Sequence, residues 1–305
     1  MRKLHLGLIV LAAFAFGLLS SCSVVQKGTD VLVSTGKMKE GDQKTILKTG
    51  EAIRSTFADI SEEEEYYIGR AVAALILSKY QVYNNDRVTD YVNTVGSAVA
   101  GYSDRPETYA GYHFLLLDSD EVNAMAAPGG FIFITKGLLR KCGNEEMLGA
   151  VLAHEVGHVA AKHGLQSIKK SRLVDAFKLL GTEAAKRYGP KELSQLTDIF
   201  EGVLADVAGT LIERGYDRKY EYEADKLSVK FASRTGYNPN GLTEFLKNLE
   251  GISATGPTAK GWFKTHPSPE DRIEKAKTDI SELGKTPKTE PVRTERFLSF
   301  VAGLK

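Results

Sequence analysis

Cysteine is almost missing from this sequence: among 305 residues only Cys22 and Cys142 carry a thiol. If Cys22 is acylated, as argued below, Cys142 stands alone and an intramolecular disulfide is excluded. A domain of this size holds together without one. No activating partner stands beside Cys142, so it is expected to be a small packed residue rather than a nucleophile. A surplus of one charge is missing too. The 40 basic residues face 39 acidic ones, a net charge of +1. That leaves no general excess for phosphate and argues against nucleic-acid binding. No internal repeat and no low-complexity tract is visible. The remaining composition, 42% hydrophobic and 26% charged, suits a globular protein with a sizeable core.

One apolar run is present, at the N-terminus. Arg2 and Lys3 precede Leu4 to Leu19, which is almost wholly apolar. The run is short for a transmembrane helix and reads as an export signal. Leu19-Ser20-Ser21-Cys22 resembles a bacterial lipobox, which implies cleavage after residue 21 and a lipid anchor on Cys22. The alternative is an ordinary secretory signal that happens to contain Cys22. Ser23, rather than aspartate, follows the cysteine; by resemblance to enteric sorting this favours the outer membrane, with the protein facing the periplasm. Residues 22–60 are expected to be a polar tether ending in a short amphipathic helix that carries Ile46, Leu47, Ile53 and Phe57.

From Ser61 the pattern turns helical. Ser61 and Glu64 have capping-box spacing, and the Glu62 to Glu65 run is expected to be a solvated first turn. A second helix covers residues 88–99. Strands are expected at 112–117 and 131–135, with Pro128-Gly129-Gly130 as a turn before the second. Further helices are expected at 144–163, 165–187, 191–214, 218–235, 240–249 and 269–282. The fold class is therefore α+β, predominantly α-helical, with a small sheet. Residues 61–283 form the proposed catalytic domain and 284–305 a C-terminal extension.

The chemistry lies in His154-Glu155-Val156-Gly157-His158. Asn144 can cap this helix, and its apolar side includes Leu148, Val151, Leu152, Val156 and Val159. Residues four apart project from one helical face, so His154 and His158 can reach one metal ion at about 2.0–2.1 Å each. Glu155 can then take a proton from water at the open coordination position. Chance gives such a motif in about 1% of chains of this composition, so it needs support from elsewhere. Gly157 costs the helix roughly 1 kcal/mol, which suggests that another segment approaches its backbone. Tyr220-Glu221-Tyr222-Glu223-Ala224-Asp225 offers Glu221 as a third ligand, with Asp225 on the same face to orient a ligand histidine. Glu223 points elsewhere and is the weaker ligand choice. Alone, this segment would read as a charged, exposed helix start.

These segments, together with Asn123-Ala-Met-Ala-Ala-Pro-Gly-Gly-Phe-Ile, resemble the gluzincin peptidases of the CAAX prenyl protease and HtpX type. The similarity runs over roughly residues 61 to 283. It is strongest to their soluble bacterial lipoprotein branch, which includes the β-barrel assembly-enhancing protease. The resemblance implies a zincin-like fold, zinc (one Zn2+ per chain) held by His154, His158 and Glu221, Glu155 as general base and acid, and Asp225 behind the ligands. It gives Asn123, otherwise a turn residue, a part in holding substrate or the tetrahedral intermediate. It also implies that His266 of Thr265-His266-Pro267 stabilises the oxyanion or closes over the metal in a latent state. Phe131 to Thr135 is expected to be the edge strand that receives an extended substrate, and the stretch from Gly251 to Gly261 a lid. His5 leaves with the signal. His113 is expected to be packed in its strand or at its rim, and His163 to face away from the metal in a structural role.

The sequence thus predicts a lipid-anchored zinc metalloendopeptidase of the bacterial envelope, acting on exposed or unfolded protein segments in quality control. The competing reading is a chaperone or assembly-factor lipoprotein with a zinc site and little proteolysis. Glu155 weighs against it, because metal binding alone needs no base beside the open position.

Overall fold

A computed structural model describes residues 60–168, 201–250, 266 and 268–304. The signal, Cys22, the tether, most of the helix expected at 165–187, the start of that at 191–214, and the Gly251–Gly261 stretch lie outside the described residues. Among the described residues no helix is long and apolar enough to cross a membrane.

Ser61 begins a compact unit that runs to Lys305. It caps α1 (Glu62–Lys79): its hydroxyl accepts from Glu64 N, and Glu64 Oε2 accepts from Ser61 N at 2.8 Å. Helix α2 (Asp86–Gly101) starts on an Asn85 cap. The sheet contains β1 (His113–Leu117), β2 (Ala124–Ala127) and β3 (Phe131–Thr135) in the order β1-β3-β2, with β3 parallel to β1 and antiparallel to β2. Phe131–Thr135 is therefore paired on both sides and is not the edge strand the sequence suggested. The outer side of β1 is taken by the preceding segment, since Tyr83 N donates to Leu116 O and Asp118 N to Gln81 O. Among the described residues that leaves β2 as the edge. Its four residues, Ala-Met-Ala-Ala, lack the branched or aromatic side chains that announce a strand.

Thr135 ends β3, caps the short α3 (Lys136–Lys141), and ties Asn123 to the sheet through backbone and hydroxyl bonds. The Asn144-capped helix α4 (Glu145–Ala160) follows, and every residue from Glu145 to Val159 is buried. It is a central helix covered on all sides, so its apolar residues are not confined to one face, and its histidines and glutamates are buried with them. Helix α5 (His163–Gln166) is a single turn. Residues 201–209 are helical and pass into a π-helical turn at Thr210–Arg214. Helices α6 (Arg218–Thr235), α7 (Asn240–Glu250) and α8 (Pro269–Glu282) match the expected spans closely.

Two close approaches fix the frame. A Cβ on Gly69 of α1 would stand 1.8 Å from Pro128 O, so only glycine lets the Pro-Gly-Gly corner lie on α1. A Cβ on Gly157 would stand 3.1 Å from Leu227 Cβ and 3.3 Å from Ala224 O. The segment expected to approach Gly157 is therefore α6. The four-glutamate run is not uniformly solvated: Glu65 is fully buried and accepts from Gly129 N at 3.1 Å and from Arg105 at 2.9 Å.

Residues 284–305, set apart as an extension by sequence, belong to the same unit. Helix α9 (Pro291–Val301) packs on α2 and α4. Phe297 is fully buried, Phe300 stacks on Tyr91 at 4.3 Å, Arg293 bonds Glu146 at 3.1 Å, and Arg296 pairs with Glu145. The two glutamates at the N-terminus of α4 are thus held by arginines from the far end of the chain. Replacing Phe297 with alanine should cost about 3–5 kcal/mol in urea unfolding; a loss below about 1 kcal/mol would show that α9 is not part of the folded core.

Candidate metal centre

His154 and His158 lie one turn apart on α4, with their Nε2 atoms 3.1 Å apart. Glu221, in the first turn of α6, reaches both: Oε2 is 3.6 Å from His154 Nε2 and Oε1 is 3.5 Å from His158 Nε2. All three are buried, and their donor atoms lie within 4.8 Å of one another. Two donors at about 2.1 Å from one tetrahedral ion are separated by roughly 3.4 Å, which is close to these spacings. Glu221 Oε1 is buried without a hydrogen-bond partner. A carboxylate oxygen so placed is costly unless something positive completes it. Two imidazoles and a carboxylate, converging with one oxygen unsatisfied, can hold a metal ion.

The outer atoms of the cluster are supported in turn. Asp225, one turn beyond Glu221, has Oδ1 3.0 Å from His154 Nδ1. Arg272 from α8 grips Asp225 in bidentate fashion, donating from Nε at 2.8 Å and from Nη2 at 2.7 Å, and is itself buried. Burial would raise the Asp225 carboxyl, but Arg272 outweighs it and holds the group at about 2. His266 stands on the stem before α8 with Nδ1 2.7 Å from Glu221 Oε2. Burial would likewise raise Glu221, yet His266, His154 and His158 hold it well below the usual carboxylate range. The two histidines differ. Burial keeps His158 well below the ordinary imidazole value. It would lower His154 too, but Asp225 and Glu221 overcome it and bring His154 to about 9.

Glu155 follows the first histidine and is buried, with Oε1 lacking a hydrogen-bond partner. Burial pushes its carboxyl up to about 7, where it can both take and give a proton near neutrality. Tyr216 stacks on His158 with ring centroids 4.3 Å apart, and its hydroxyl donates to Ala126 O on edge strand β2 at 3.2 Å.

Of the site residues expected from sequence, His154, Glu155, His158, Glu221, Asp225 and His266 thus lie together, and Cys22 lies outside the described residues. Asn123 is buried immediately before β2, with its backbone tied to Thr135 and its side chain bonded to the Tyr80 hydroxyl. Sequence reasoning missed Tyr216, which no motif announces, and Glu65 behind the Pro-Gly-Gly corner. His113 is exposed beside Phe131, as a rim residue should be. Cys142 is buried, and burial raises its thiol far above the reactive range.

Proton competition gives a test. A metal-free His154 that titrates near 9 carries a proton at neutral pH, and metal must displace it. Zinc affinity, followed by chelator competition, should therefore rise with pH between 6.5 and 8.5, by up to about tenfold per unit. An affinity flat across that window would contradict this protonation state.

The model of peptidase family M48 matches residues 86–280. The β-barrel assembly-enhancing protease of Escherichia coli K12 is 26% identical over 243 residues, covering 78% of this chain and 48% of that protein. The mitochondrial metalloendopeptidase OMA1 of Schizosaccharomyces pombe is 28% identical over 228 residues, covering 73% of this chain and 63% of its own. Human OMA1 is 24% identical over 161 residues, 52% of this chain and 30% of the relative. The chain spans about half the length of the bacterial relative. The matched region takes in well over half of the chain and runs through both histidines, Glu155, Glu221, Asp225 and Arg272, so the chain belongs to peptidase family M48.

Proposed function

We propose that this chain uses zinc at His154, His158 and Glu221 to cleave exposed or unfolded segments of envelope proteins, tethered to the outer membrane by a lipid on Cys22. The observation that carries the hydrolytic reading is Glu155. A buried carboxylate with an unpaired oxygen, one residue from a metal-binding histidine, serves no packing or folding purpose that an apolar residue would not serve better. Zinc when bound lowers the pKa of water and polarises a carbonyl.

The chain's own residues supply the remaining steps. Glu155 accepts a proton from the attacking water and returns it to the leaving amine, which its elevated proton affinity permits. His266, anchored through Nδ1 to Glu221, is the proposed donor to the oxyanion. Arg272 and Asp225 keep His154 in place, with Asp225 accepting at the nitrogen turned away from the metal. Extended substrate would add to the sheet at β2, with Asn123 anchoring the strand's first residue. The Tyr216 contact on Ala126 O would yield to an entering backbone. The envelope role draws on the name of the Escherichia coli relative and on the export signal.

Glu155→Gln separates an enzyme from a zinc-holding assembly factor. It should keep zinc bound and lower cleavage of an unfolded outer-membrane protein by at least about 100-fold. Cleavage at the wild-type rate by the variant would remove Glu155 from the mechanism. A zinc-loaded wild type that binds such clients without cutting them would favour the assembly factor.

A further inference from the structure

His163 and Glu223 remain outside the machinery described so far. His163 is fully buried, with its Nδ1 2.9 Å from Nδ1 of His158 and its Nε2 3.3 Å from Oε2 of Glu223. Had α4 continued, a residue five beyond His158 would project about 140° away from it. The chain prevents this at Lys162, which adopts φ 56° in the left-handed region and separates α4 from α5. A residue with a side chain rarely adopts that conformation, and its cost must be met by what it positions. What it positions is His163. His163 thus lies on the side of His158 turned away from the proposed metal position, and the turn at Lys162 is what brings it against that ring.

The direction of the hydrogen bonds follows from the metal reading, on which this inference rests. His158 Nε2 faces His154 and Glu221, so it must be free of a proton to bind metal. A neutral imidazole then carries its proton on Nδ1. That N–H donates to His163 Nδ1. His163 in turn carries its proton on Nε2, which faces the Glu223 carboxylate. Tyr220, whose ring centroid lies 4.6 Å from that of His163, and Tyr216, stacked on His158, hold the two ring planes. At its Nδ1, His154 meets the Asp225 carboxylate directly, whereas His158 reaches that of Glu223 through a second imidazole.

We propose that His163 and Glu223 are a positioning pair for His158, fixing its tautomer and ring plane and thereby setting how tightly the centre retains metal. Glu223 is half exposed, so the chain of bonds ends at the surface.

The test is zinc affinity of the purified protein, by chelator competition, with thermal stability of the metal-free form measured alongside. His163→Ala should weaken zinc binding by about 10–100-fold, the usual penalty for losing a partner behind a ligand. His163→Asn places an amide oxygen where Nδ1 stood and should recover most of that loss. Glu223→Ala should weaken zinc in the same direction by a smaller factor, with metal-free stability unchanged because the residue lies at the surface. Wild-type zinc affinity in both His163→Ala and Glu223→Ala would overturn the pair. Equal losses in His163→Ala and His163→Asn would overturn the tautomer argument and leave His163 a packing residue. A wild type that binds no zinc would instead bring down the metal reading, a result distinct from either.

Discussion

The close crossing of α6 over α4 at Gly157 is the constraint on which the rest depends. Where a methyl would meet Leu227 and Ala224, a hydrogen lets the two helices draw together, at a helix-propensity cost of roughly 1 kcal/mol. Glu221 is thereby brought against both histidine Nε2 atoms, and Asp225, one turn on, against the outer nitrogen of His154. Ser228 adds a hydrogen bond to Ala150 O at 2.7 Å along the same contact. A wider crossing would leave two imidazoles without their carboxylate.

Bringing these groups together creates an electrostatic problem that the surroundings solve in layers. Glu155, Glu221 and Asp225 are all buried, and isolated carboxylates do not survive there charged. Arg272 neutralises Asp225, and His266 and the histidine pair hold Glu221 ionised. Glu155 has no such partner and its proton affinity rises. The same burial thus yields an ionised ligand in one place and a titrating base in another, according to whether a cation stands beside it. At the other end of α4, Glu145 and Glu146 are held by Arg296 and Arg293 of α9. Helix α4 is pinned by charge at its N-terminus and by aromatic and imidazole contacts near its C-terminus.

Much of this could be read in the sequence because it is local. The Ser61 and Glu64 box, the Asn144 cap, the span of α6 and the four-residue spacing of the histidines are fixed by neighbours in the chain. Gly157 even indicated the crossing, though not which helix would make it. Long-range order was less legible. Strand β2 escaped because alanines carry no strand signal, and with it went the identity of the sheet's edge. The burial of Glu65 depends on Arg105 and Gly129, 40 and 64 residues away. The contact of His163 with His158 could not be read because one left-handed residue, Lys162, redirects the chain, and lysine gives no warning of that conformation. Helix α9 became part of the core through Phe297 and two arginines whose partners lie about 150 residues upstream.

The central claim is that His154, His158 and Glu221 together bind one zinc ion and leave a position open for water and substrate. Anomalous diffraction at the zinc edge from zinc-loaded crystals tests it directly. The account predicts a single peak about 2.0–2.2 Å from both Nε2 atoms and a Glu221 oxygen, with no fourth protein ligand. A peak elsewhere, or one closed by a fourth side chain, would contradict it.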